Sequence, residues 1–451
     1  MKSIIKEIDI ETLSRKFTNF FACAEATARA TKFVQRTSQM TGMKFLQMLV
    51  FGLMRNPQAS LSQMVKESHR LGVNISNQGI DERINRYAVE FVKTMYEMAF
   101  EEFKNRQGLP MDILKQFTKL FLVDSTFKQL PESMAEEFPG SGGKASKASL
   151  KVQLVFEFLC GHMAQLVIEA GKTADQAFTK YLGLVEAGAL VIMDLGYFRL
   201  ASLQDITQKS AYFIMRYHYL TSLWTPNGDR IDLPGWMQSH AKTLSDNPVL
   251  LGPAHKQQIA CRLISTPVPL AVAEERRRKA ISSARSRGKT LSDAYLYFLG
   301  WSFFVTNVPD SMLSPQQVLT FYRLRWQIEL VFKLWKSYCG LEHIPAFRRE
   351  RILTEFYAKL IVAILTTFIV APLRSPDEAL PKYEISPVQV RHTLADFARD
   401  ISNALSHLPS LIAVFKDFFN LIARSGFKQI RRYKPNVYAM LAQLSTPTSI
   451  S

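Results

Sequence analysis

Four residues in one short run have the chemistry to hold a divalent cation and a phosphate side by side: Tyr322, Arg325, Glu329 and Lys336. A carboxylate is a ligand for hard cations, and Arg and Lys bind phosphate oxygens through charge-assisted hydrogen bonds. Residues 322–336, YRLRWQIELVFKLWK, contain neither Gly nor Pro and read as one α-helix. A helix turns roughly 100° per residue, so the four polar residues fall within about 60° of one another on one face. Leu324, Ile328, Val331 and Trp335 take the opposite face, and Trp326, Leu330 and Leu334 flank the polar stripe. A helix this apolar is expected to be buried, and a buried polar stripe needs partners. The alternative is a solvent face with an Arg325–Glu329 pair, worth only tenths of a kcal/mol.

Partners for the stripe must come from elsewhere in the chain. Residues 120–123 read as a strand ending at Asp124-Ser125-Thr126, and residues 189–193 as another ending at Asp194-Leu195-Gly196-Tyr197-Phe198. Between them lie strand candidates at 150–158 and 164–169 and a helical stretch at 174–185. Either Asp alone could simply cap a following helix. Two of them at strand ends, with a Glu on a later helix, make a ligand set, because strand ends are where open sheets gather ligands. Further strands are expected at 211–216 and 303–306. The stretch between has short strand candidates such as 258–264, and a basic run, Arg276-Arg277-Arg278-Lys279, continued by Arg285, Arg287 and Lys289. Such a run usually forms a solvated helix face.

Residues 1–112 read as helical, with segments near 44–55, 60–71 and 77–105. Ser60 and Gln63 have capping-box spacing, residues 71–74 make a turn, and Ser76 can cap a helix carrying Asn77, Gln78, Arg83 and Arg86. The pattern fits a helix-turn-helix DNA reader and equally a plain helical hairpin. A Pro-rich link (Pro372, Pro376, Pro381, Pro387) leads to a C-terminal helical region with a basic end: Arg424, Lys428, Arg431, Arg432 and Lys434.

Of 451 residues, 47% are hydrophobic, so sizeable cores can form and wholesale disorder is excluded. Lys and Arg number 56 against 39 acids, a formal charge of +17 that suits a polyanion, either nucleic acid or an acidic membrane surface. The four cysteines include no C-x-x-C pair, which argues against a zinc ribbon or a disulfide scaffold. The eight histidines show no H-E-x-x-H spacing, so a metal site is expected to be built from carboxylates, favouring Mg²⁺ or Mn²⁺. The N-terminal residues lack the apolar core of a signal peptide. The longest apolar run, 360–373, is expected to be a buried core helix rather than a membrane span. A soluble, cytoplasmic protein with no membrane partner is the expectation.

The four residues spell Y-x2-R-x3-E-x6-K, which resembles the signature of bacterial insertion-sequence transposases of the DDE type, the insertion-sequence-four group. D-S-T at Asp124 and D-x-G-Y-F at Asp194 are similar to the corresponding blocks of that family. Pro139-Gly140-Ser141-Gly142-Gly143-Lys144-Ala145-Ser146-Lys147 resembles its Gly/Lys-rich loop, although it also reads as a plain hairpin connection. The specific match spans residues 120–345.

The resemblance implies an α/β fold: a ribonuclease-H-like mixed-sheet core interrupted by a β-rich insertion, with helical N- and C-terminal regions. The parts would be a DNA-binding domain at 1–112, the catalytic core at 113–216 and 301–375, the insertion at 217–300 and a C-terminal region at 376–451. It implies that Asp124, Asp194 and Glu329 are catalytic and bind two Mg²⁺ (or Mn²⁺). Tyr322, Arg325 and Lys336 would hold a DNA phosphate, and Trp301 would stack on a flipped base. Trp301 read alone is equally a core indole at a strand edge. The implied partners are double-stranded DNA, as transposon ends and as target, and a second copy of the chain in a synaptic homodimer. The implied function is binding of terminal inverted repeats and cut-and-paste transposition by metal-dependent cleavage and strand transfer. Two alternatives share the core: a hydrolytic nuclease that never joins, and an inactive DNA-binding relative. The presence of all three carboxylates speaks against the latter.

Overall fold

Leu120, Phe121, Leu122 and Val123 open the first strand, β1 (Leu120–Leu130), and point alternately to the two faces of a sheet, all four buried. Both faces are covered there, so these four residues are apolar in succession rather than alternating. This computed structural model describes residues 8–104, 114–142, 146–239, 244–344, 348–374 and 383–429. β1 pairs antiparallel with β2 (Ala148–Glu157), which pairs antiparallel with β3 (His162–Ala170). β4 (Leu190–Met193) lies parallel to β1, and β5 (Tyr212–Arg216) parallel to β4. The order β3-β2-β1-β4-β5 is the expected ribonuclease-H-like mixed core.

The sheet then continues through β9 (Trp301–Thr306), β8 (Ile259–Pro267), β7 (Ser245–Leu251) and β6 (Leu223–Trp224), every pairing antiparallel. The stretch expected as an insertion, 217–300, supplies β6, β7 and β8. Its strands prolong the core sheet, because β9 leaves a free edge that β8 satisfies. Among the described residues its helices (Leu233–Ser239, Leu270–Arg285 and Asp293–Phe298) take up more of it than its strands. The basic run lies on the second of these helices and is only partly solvated. Arg276 donates to the carbonyl of Trp301 at 2.8 Å and Arg277 to that of Leu296 at 2.9 Å, tying the helix to its neighbours.

One helix organises the other layer. Arg349–Val370 is buried almost all round and packs against both ends of the chain. Gly42–Arg55 and Arg86–Phe103 from the N-terminal side and Pro387–Ala404 from the C-terminal side touch it directly, while Ile10–Ala30 and Leu408–Ser425 pack on those helices and on each other. A single hydrophobic cluster runs through these helices onto one face of the sheet, while a second covers the opposite face. The helices of the region expected at 1–112 and those of the C-terminal region expected at 376–451 therefore share one layer. The boundaries expected at 112/113 and 375/376, the link residues Pro376 and Pro381, and the basic residues Arg431, Arg432 and Lys434 lie outside the described residues. The helix at 349–373 is long and apolar enough to cross a membrane, and 94% of its most apolar 18-residue stretch is buried inside the protein.

Other expectations are adjusted in detail. Ser60 and Gln63 do form a capping box on Leu61–Arg70, and Gly72 makes the following turn at φ +72°. The helix expected at 77–105 breaks after Arg83, because the Asn85 side chain caps Arg86–Phe103. The stretch 174–185 forms two 3₁₀ turns, Asp175–Ala177 and Lys180–Leu184, instead of an α-helix. In the Gly/Lys-rich loop, Gly143, Lys144 and Ala145 lie outside the described residues. Its ends meet as a hairpin, with the Gly140 N–H donating to the Lys147 carbonyl at 2.7 Å.

Candidate active site

The parallel ladder between β1 and β4 ends at the pair Val123–Met193, and the next residue on each strand is an aspartate. Asp194 lies just beyond β4, as expected. Asp124 does not lie past a strand end, because β1 runs on to Leu130, still paired with β2. The two carboxylates thus sit side by side where β1 outlasts β4.

The third carboxylate arrives on a helix that is less regular than its sequence implies. Residues 315–338 form Pro315–Arg323, then Trp326–Lys333, then a π-turn over Leu334–Tyr338. Around Arg325 the backbone tightens into i→i+3 bonds: Leu324 to Phe321, Arg325 to Tyr322, Gln327 to Leu324 and Ile328 to Arg325. Each 3₁₀ step turns about 120° rather than 100°, which rotates Arg325 and Glu329 relative to an ideal helix. Farther on, the Cys339 N–H reaches back five residues to the Leu334 carbonyl, and Lys336 lies within this π-turn. The indole of Trp335 anchors this turn by donating to the Thr367 hydroxyl at 3.1 Å. The expected continuous buried helix is corrected in one more respect: Trp326 and Leu330 are 56% and 42% exposed.

Arg325 is the hub. Its guanidinium donates to Glu329, lies 3.2 Å from Asp124 Oδ2 and 4.0 Å from Asp194 Oδ1, and is only 18% exposed. The i,i+4 pair with Glu329 exists, but as part of a four-residue cluster joining helix to sheet rather than as a surface pair. The Tyr322 hydroxyl donates to Asp194 Oδ1 at 3.4 Å, and its ring packs on Phe304 at 4.8 Å. Burial pushes Asp124 up to about 6, against the opposing pull of the Ser125 N–H and Arg325. Burial, with Asp194 adding to it, likewise pushes the Tyr322 phenol up to about 12.

These side chains line an open cleft of about 500 Å³: Asp124, Asp194, Arg325, Glu329, Lys336 and Glu342 among them. Sequence reading missed Glu342, which pairs with Lys336 at 3.4 Å, because no spacing marks it. It also missed Glu157, Cys160 and His162, whose ligand atoms lie within 4.8 Å of one another at the β2–β3 turn. There the Glu157 carboxylate already accepts the backbone N–H groups of Leu120, Leu159 and Cys160. Burial and Glu157 push the Cys160 thiol up to about 12, so the cluster is a capped turn.

Trp301 does not join the others in the cleft. It opens β9, is 5% exposed, and stacks on Phe303 with ring centroids 5.8 Å apart. One face of the indole is therefore covered by Phe303 and little of the residue is exposed, so the base-stacking role expected for it would need the ring to be uncovered. Trp301→Ala is expected to destabilise the fold by about 3–5 kcal/mol and to depress every DNA step together. Thermal melting and stepwise cleavage on one preparation check this; an unchanged melting temperature with one slowed step would restore the base-stacking role.

Residues 115–365 match the protein family described as a transposase DDE domain. The transposase for insertion sequence element IS231F of Bacillus thuringiensis subsp. israelensis is 27% identical, over 96% of this chain and 94% of that one. The transposase for insertion sequence element IS1151 of Clostridium perfringens is 26% identical, over 98% and 95%. A piggyBac transposase solved in a synaptic complex with hairpin DNA superposes with a TM-score of 0.47 at 10% identity, covering 99% of this chain and 87% of that one.

Proposed function

The chain belongs to the DDE transposase family, and we propose that it moves an insertion sequence by cut and paste, with Asp124, Asp194 and Glu329 as its catalytic carboxylates. The family acts on DNA phosphodiesters and uses divalent metal. The donor set fits such a metal. Three carboxylates from β1, the end of β4 and a helix already surround one positive charge, the Arg325 guanidinium. Oxygen donors of this kind suit two Mg²⁺ or Mn²⁺ ions. When bound, such ions activate an attacking water or 3′-hydroxyl and stabilise the leaving oxygen.

The protein's own groups place the DNA. Arg325 and Lys336 grip a phosphate of the non-transferred strand, exchanging their present partners Asp124, Glu329 and Glu342 for its oxygens. The Tyr322 hydroxyl adds a donor beside Asp194. A basic groove lined by Arg277, Arg278 and Arg285 follows the DNA backbone farther out. The helices Leu61–Arg70 and Asn77–Arg83, with Asn77 and Gln78 exposed, read the terminal repeats. Two chains hold two ends in a synaptic homodimer, working on cytoplasmic, nucleoid DNA.

The observation that carries this reading is the single guanidinium meeting all three carboxylates. Its test is a paired-end assay with purified protein, Mg²⁺ and the inverted repeats taken from DNA flanking the gene. Joined products are expected; cutting without joining would establish the hydrolytic nuclease instead.

A further inference from the structure

On the face of the sheet behind Asp124 lies an ion pair that the carboxylate triad does not use, its lysine buried and its aspartate 28% exposed. Lys151 on β2 is 2% exposed, and its ammonium donates to Asp175 Oδ1 at 2.8 Å and to the carbonyl of Thr173. The ring of Phe127, its cross-strand neighbour on β1, covers it at 4.7 Å. Asp175 Oδ1 also accepts the Ser125 hydroxyl at 3.0 Å and faces the Gln153 amide at 3.5 Å. Gln153 is itself buried and accepts the Tyr197 hydroxyl at 2.5 Å. Ser125 closes the chain, since its backbone N–H donates to Asp124 Oδ1 at 2.8 Å.

Burying the lysine of such a pair is a poor way to stabilise a fold, because an apolar residue of equal size usually does as well. This one instead attaches to residues of both aspartate motifs that the triad leaves unexplained. Ser125 follows Asp124, and Gly196 and Tyr197 follow Asp194. A Cβ on Gly196 would come within 3.2 Å of Asp175 Oδ2, so a glycine there keeps the carboxylate's seat open. The location also matters. β4 stops at Met193, so from Asp124 onward β1 has lost its parallel neighbour and is held by β2 alone.

We propose that Asp175, clamped by Lys151, is a positioning residue that fixes Asp124 through Ser125 and so presets the aspartate pair for divalent cations. This rests on the reading of Asp124 as a metal ligand. Outer partners of a metal ligand typically govern affinity by about 10–100-fold when removed.

The test is direct Mn²⁺ binding to the full-length protein, followed by the loss of the free-ion resonance signal, beside nicking at graded Mg²⁺. Asp175→Asn is expected to weaken Mn²⁺ binding and raise the Mg²⁺ needed for half-maximal nicking by about 10–100-fold, with a much smaller fall in the saturating rate. Because that variant leaves Lys151 unpaired, Lys151→Met combined with Asp175→Asn removes both charges at once and should shift Mn²⁺ binding the same way. Ser125→Ala keeps the pair but cuts its link, and should give a smaller shift in the same direction. Wild-type Mn²⁺ binding in the double variant, with any loss confined to melting temperature, overturns the inference. Asp124→Ala is the control: if it too binds Mn²⁺ as wild type, the ligand reading falls and this inference with it.

Discussion

Asp124→Ala, Asp194→Ala and Glu329→Ala should each reduce nicking of a transposon end by well over the roughly 100-fold that losing only an outer partner costs. The reason lies in the shared site. The three carboxylates converge from separate elements on one cation-sized position, now filled by the Arg325 guanidinium. Removing any one leaves an incomplete set of oxygen donors, so the losses should not add in double variants. DNA binding should survive, because each change deletes a negative charge beside a phosphate path and Arg325 keeps two partners to hold the helix on the sheet. Gel-shift affinity and Mg²⁺-dependent nicking, measured on the same preparations, decide the matter. A variant that cuts at near the normal rate does not belong to the triad.

What sequence reading could see of this site follows from which features are local. Asp124 and Asp194 were visible because each follows a run of four or more apolar residues, and parallel strands of a sheet buried on both faces leave that mark. Glu329 was visible through its spacing from Tyr322, Arg325 and Lys336, which survives the kink: Arg325, Glu329 and Lys336 line one cleft and the Tyr322 hydroxyl reaches Asp194 beside it. The kink and the π-turn were not visible, since no Pro or Gly marks them. They arise where residues on the inner side, Ile328 and Trp335, settle into a core made by distant parts of the chain. Trp301 shows how little of a residue's setting its position reveals. Its place at the head of β9 was legible, but its burial depends on Phe303 and on the partner strand β8, and neither is read from the residue itself. Asp175 and Lys151 were silent for the same reason: their meeting is set by the register of β1 on β2 and by a 3₁₀ turn where a helix was expected. The merged helical layer was hidden as well, because periodicity says which face of a helix is apolar and not which helix covers it.

Arg325→Ala should abolish tight binding of cleaved ends, and should also expose how the triad is held together without DNA. The guanidinium is the only positive group among the described residues that the ion-pair geometry brings to all three carboxylates. Without it, three partly buried acids face one another, and Asp124 is already pushed up to about 6 by burial. Breaking a fully buried pair costs about 3–5 kcal/mol; Asp194 and Glu329 are partly solvated, so about 1–3 kcal/mol is expected here. The sign with pH follows from the raised value. An acid whose folded-state pKa lies above its unfolded value of 3.8 costs nothing while protonated in both states. Arg325 is one of the groups that lower Asp124, so its loss raises the folded-state value further, and the variant's extra penalty over wild type develops above about pH 6. The variant should melt close to wild type at pH 4 and well below it at pH 7.5, and its lost DNA affinity should come with a shallower salt dependence as one phosphate contact disappears. Mg²⁺ or Mn²⁺ should raise its melting temperature at pH 7.5 more than it raises that of the wild type, because the ion no longer competes with a resident guanidinium. Melting curves at the two pH values, with and without the ion, test all of this. A stability loss independent of pH and untouched by divalent cations would reduce Arg325 to an ordinary helix-surface pair with Glu329.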